Sequence, residues 1–70
     1  MKEKLINYWE RKERQIEQYP DGGATYLKQA FGALEFAMEM VNNWDEEAEL
    51  IDLWNNEWHM RLEEKVYGIL

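Results

Sequence analysis

Seventy residues of 8.6 kDa carry fifteen Asp or Glu against eight Lys or Arg, a net charge of -7, with no cysteine and a single histidine. That composition excludes disulfide frameworks, thiolate metal sites and cysteine nucleophiles. With 46% apolar and 14% aromatic residues the chain is also too apolar to be disordered. It has no run of about eighteen apolar residues that could span a membrane. The start, Met1-Lys2-Glu3-Lys4-Leu5, lacks the apolar stretch of a secretory signal, so a cytoplasmic location is expected. One domain over residues 1–70 follows from the length.

Two breaks divide the chain into three expected helices, about 2–18, 25–42 and 45–67. The first break is Tyr19-Pro20-Asp21-Gly22-Gly23, where proline disfavours helix at the residue before it. The second is Asn42-Asn43-Trp44-Asp45. Asn43 and Glu46 stand at capping-box spacing there, and Asp45, Glu46 and Glu47 suit the positive end of a new helix. Connections this short make successive helices antiparallel. The expected fold is all-α, a three-helix up-down-up bundle with the second helix central.

The three helices differ in pattern. In the first, Leu5, Trp9 and Ile16 form a narrow apolar stripe, with Tyr8 and Tyr19 beside it. Lys12 interrupts that stripe and can lie along it with its amine in water. In the second, the apolar arc is wide, from Tyr26, Leu27 and Ala30 through Phe36, Met38, Met40 and Val41, so this helix must touch neighbours on two sides. The third carries Trp44, Ala48, Ile51, Trp54, Trp58, Leu62, Val66 and Ile69 in one band. Opposite that band, Leu53, Met60 and Tyr67 stand seven residues apart among acids. Three apolar residues in register on a polar face form a candidate contact line.

The chemistry-bearing residues are few. His59 has Glu63 four residues on, which reads as a solvated pair, since one His and one carboxylate complete neither a zinc site nor a triad. Glu10 with Glu13, and Glu49 with Asp52, each share a helix face at i, i+3. These pairs resemble those by which all-α nucleotide pyrophosphatases of the MazG type hold magnesium. The resemblance is confined to those four residues, and it implies a magnesium-dependent nucleotide hydrolase. Here a whole helix separates the two pairs, and no lysine or asparagine set for a phosphate accompanies them.

Charge is uneven along the chain. The first eighteen residues hold five of the eight bases, and the remaining residues hold eleven of the fifteen acids. Phosphate neutralisation dominates nucleic-acid affinity, so direct binding to DNA or RNA is not expected. Four tryptophans and four tyrosines point instead to protein contacts, because such rings bury large areas and keep a polar end. For Trp9, Trp54 and Trp58, on the main stripes, the core is the expected place. The leading expectation is a small non-enzymatic interaction or regulatory module whose partner is a second copy of itself, without cofactor, metal, membrane or small-molecule substrate. The contact is expected at Leu53, Met60 and Tyr67, or else on the second helix at Tyr26, Ala33, Phe36 and Met40. An acidic inhibitor occupying a basic partner protein is the first alternative, and the magnesium-dependent hydrolase the second.

Overall fold

In the computed structural model, which describes residues 2–68, the chain forms an all-α up-down-up bundle. The helix α1 spans Lys2–Gln18. A single 3-10 turn, Pro20–Gly22, leads directly into α2, Gly23–Met40. The third rod has three parts: α3, Trp44–Leu53, a π-helical turn, Trp54–Trp58, and α4, His59–Tyr67. The second helix is central, packing on α1 along one side and on α3 and α4 along the other.

Local chemistry sets the ends. Tyr19, held out of the helical region by Pro20, takes φ -131 and ψ 72 and stops α1. The second helix starts at Gly23, two residues earlier than the expected Thr25, because proline pre-sets the preceding turn and Gly23 is already helical at φ -56, ψ -45. It also ends two residues before the expected Asn42, since Val41 is extended at φ -88, ψ 149. Asn43 is extended too, and its side-chain oxygen accepts the Glu46 backbone N–H at 2.8 Å, the cap its position predicts. At the far end Gly68 turns left-handed at φ 62 and donates its N–H to the Glu64 carbonyl at 2.8 Å.

Tryptophan dominates the core. Trp9, fully buried, stands 5.3 Å from Trp54 and 5.8 Å from Trp58, ring centre to ring centre. Its indole N–H donates to the Ala30 carbonyl at 2.9 Å, which satisfies the polar end of a buried ring and ties α1 to α2. Leu5, Ile16, Leu34, Ala37, Leu50 and Leu62 close around this cluster. The core places expected for Trp9, Trp54 and Trp58 are therefore correct.

The π-helical turn decides which face of the third rod looks inward. Leu50, Trp54, Trp58 and Leu62 are all buried, and each is four residues from the next. In an ideal α-helix such residues drift by about 40° per step, or about 120° over the set. A π turn inserts one residue, which takes back about 100° and keeps all four facing the core. The half of the rod before the turn is thus rotated relative to the single band expected from the sequence. Trp44 is 83% exposed, Ala48 is exposed, Ile51 is half-buried, and Leu50 occupies the inward position. Beyond the turn the expected phase holds at Trp58, Leu62 and half-buried Val66, while Ile69 lies outside the described residues.

Ion pairs join α1 to the third rod in parallel register: Lys2 to Glu49, Glu13 to Arg61 and Glu17 to Lys65. Glu13 is only 8% exposed and takes both its hydrogen bonds from Arg61, at 2.6 and 2.9 Å. The Arg61 guanidinium also lies 4.5 Å from the Trp58 ring centre. The hydrogen bond from Lys65 to Glu17 holds the lysine above its ordinary pKa, as the bond to Glu49 does for Lys2. Glu13 to Arg61 is the central tie of this edge.

Candidate functional site

The wide apolar arc of α2 is only partly used by the core. Ala30, Leu34 and Ala37 are buried, yet Phe36 is 64% exposed and Met40 is 54% exposed. Phe36 forms one wall of an apolar groove whose floor and sides are Leu5, Tyr8, Ala33 and Ala37, with Lys4 at its edge. The groove exists because α2 presents alanines where it meets α1. Small side chains bring the two helices together but leave a shallow channel between Tyr8 and Phe36.

Cations gather on the α1 side of this groove. Lys12 Nζ stands 4.8 Å from the Tyr8 ring centre and 5.6 Å from that of Tyr26, and Arg11 stands 5.7 Å from Tyr8. The ammonium of Lys12 is bound by a neutral partner, Gln29 Oε1, at 2.7 Å. Among the described residues no ion pair holds Lys4, Arg11 or Lys12, whereas Glu13 and Glu17 are engaged by α4. So in a chain of charge -7 one groove is edged along its α1 side by positive charge. The sequence carried that signal as Lys4, Tyr8, Arg11 and Lys12, spaced i, i+4, i+7 and i+8, with Glu3, Glu10 and Glu17 on a separate stripe seven residues apart.

The candidate contact residues separate into three places. Tyr26 and Ala33 are half-buried against the core, with Phe36 and Met40 exposed beyond them, so these four follow one side of α2. Met60 and Tyr67, each 63% exposed, lie seven residues apart on α4. Leu53 does not join them. It precedes the π turn, is half-buried against the core, and lines a different concavity with Asp45, Ala48, Glu49, Asp52, Asn56 and Glu57. The extra residue of the turn breaks the seven-residue register between Leu53 and Met60.

The carboxylate pairs are drawn apart by the same edge. Glu13 is bound to Arg61 and Glu49 to Lys2, and among the described residues no group of three or more acidic or histidine side chains is placed to hold a metal ion. His59 stacks on Trp54, with ring centres 5.4 Å apart and planes 20° from parallel, and its Nε2 is 3.4 Å from Glu63. No helix among the described residues is long and apolar enough to cross a membrane. No protein family, curated protein or solved structure matches the chain.

Proposed function

We propose that this protein is a small, acidic, non-enzymatic interaction module, and that its partner is a second copy of itself. One observation carries the reading: the apolar groove between α1 and α2, with Phe36 and Met40 exposed beside it. A seventy-residue chain has little apolar side-chain area to spare from its core. Leaving Phe36 and Met40 of its most apolar helix in water is explained if that surface is covered in the working assembly. The module then acts by being covered and uncovered, and the helices need supply no catalytic group.

The test is the mass of the particle. Sedimentation of the wild type at tens of micromolar is expected to return more than one chain, and the assembly should persist at high salt because apolar area carries it. A monomer at that concentration overturns the reading.

The shallow acidic concavity on the outer side of α3 favours a second reading, an inhibitor that occupies a basic protein. Asp45, Glu49, Asp52 and Glu57 surround the apolar Ala48 and Leu53 there. Capture of a basic partner at low salt and its release at high salt would distinguish that reading.

A further inference from the structure

The π turn leaves a second surface unexplained by the core. It rotates Trp44, Ala48 and Ile51 away from the bundle interior, so these residues, spaced i, i+4 and i+7, form an apolar stripe along one side of α3. Trp44 is 83% exposed, the most exposed of the large apolar side chains among the described residues. Asp45, Glu47 and Asp52 flank the stripe. Such spacing is how an amphipathic helix enters an apolar groove on a partner.

The groove between α1 and α2 has the opposite character along its α1 rim. Its channel of Leu5, Tyr8, Ala33, Phe36 and Ala37 is apolar, and Lys4, Arg11 and Lys12 supply positive charge without a carboxylate partner among the described residues. The chain therefore carries both halves of one contact, an apolar helix stripe edged by acids and an apolar groove edged along its α1 side by bases. Acid against base favours this pairing over groove against groove, where Lys4, Arg11 and Lys12 of each copy would confront their own kind. A stripe-to-stripe contact would set Asp45, Glu47 and Asp52 against themselves in the same way.

We infer that self-association is heterologous: the Trp44–Ala48–Ile51 stripe of one copy docks in the α1–α2 groove of a second copy. The inference rests on the self-association proposed above and names its two surfaces. Trp44 is the anchor, since a large ring entering a desolvated channel contributes more than the acid–base pairs at the rim. Asp45, Glu47 and Asp52 set orientation against Lys4, Arg11 and Lys12.

Complementing variants test it. Phe36→Glu spoils the groove and leaves the stripe, and Trp44→Glu spoils the stripe and leaves the groove. Both sites are exposed, so each variant should keep the wild-type helical circular dichroism. Phe36→Gln and Trp44→Gln replace either one that does not. Each variant alone is expected to sediment as a monomer, weakened roughly a hundredfold or more by a charge in a desolvated contact. Mixed in equal amounts they should form a 1:1 complex, because one intact stripe then meets one intact groove. A mixture that remains monomeric overturns the inference, as does a Trp44→Glu protein that associates like the wild type. In both cases an associating wild type leaves the self-association reading standing. A wild type that is itself monomeric removes that reading and this contact together, and then a foreign acidic helix is the occupant to seek.

Discussion

Glycines make the clearest residue-scale case for surfaces that the isolated chain does not explain. A Cβ at Gly23 would lie 3.3 Å from Val66 Cγ1, so this glycine lets the start of α2 approach α4. Gly68 sits at φ 62, where side chains are strained, and ends α4. Gly32 has neither reason. It lies in the middle of α2, it is exposed, and a Cβ there would meet nothing within 4 Å. Glycine in a helix interior costs about 0.5–1 kcal/mol relative to alanine. Gly32→Ala should therefore stabilise the chain by that amount, raising the melting temperature by about 2–8 °C for a domain of this size. The melt belongs at low concentration, where association does not add to stability. A melting temperature at or below the wild type's would mean that α2 is not a regular helix through this position. Phe36 stands one turn further along the helix, which makes Gly32 a neighbour of the groove wall.

At the scale of elements, the third rod separates what could be read in advance from what could not. The composition, two short breaks and three distinct apolar patterns were enough for the bundle, the helix order and the core places of Trp9, Trp54 and Trp58. The cap at Asn43 was legible as well, because it depends on residues three apart. The π turn was not. Periodicity assumes one residue per 100° throughout, and an inserted residue leaves no local composition signal. A hint lay in Leu50, Trp54, Trp58 and Leu62, whose spacing of four drifts by about 120° across a straight α-helix. The candidate contact line shows the consequence: the sequence alone groups Leu53 with Met60 and Tyr67 and sets Trp44 in one band with Trp54 and Trp58, and the inserted residue separates them. The same geometry predicts the effect of a deletion. Removing exposed Asn55 would change the spacing of the four core residues from 4, 4, 4 to 4, 3, 4, which an ordinary α-helix keeps on one side. The deletion variant should fold with a melting temperature at or above the wild type's, although deletions within helices usually disrupt them. Loss of helical circular dichroism in that variant would show that the turn is fixed by something other than register.

For the whole molecule the question is whether its fifteen acids serve binding or catalysis. A magnesium-dependent hydrolase would need several carboxylates converging on one ion, and their mutual repulsion in the metal-free protein would be relieved when the ion bound. Binding to the native state alone adds about 2.7 kcal/mol at a hundredfold excess over the dissociation constant. At about 4–8 °C per kcal/mol for a chain of this length, that is a shift of roughly 10–20 °C, far beyond the error of a melt. The fold places the four acids otherwise. Arg61 already holds Glu13 through two hydrogen bonds, and Lys2 already holds Glu49, so magnesium would have to displace a cation at each. Displacing Arg61 would leave a guanidinium without its partner beside the Trp58 ring and would open the joint between α1 and α4. Magnesium should therefore raise the melting temperature no more than sodium does at matched ionic strength, since both then act only by screening a net charge of -7. A larger rise with magnesium that disappears in Glu49→Gln would reverse the conclusion. Nucleotide hydrolysis would then be the first activity to assay, and the groove between α1 and α2 would have to be reconsidered as part of a substrate site.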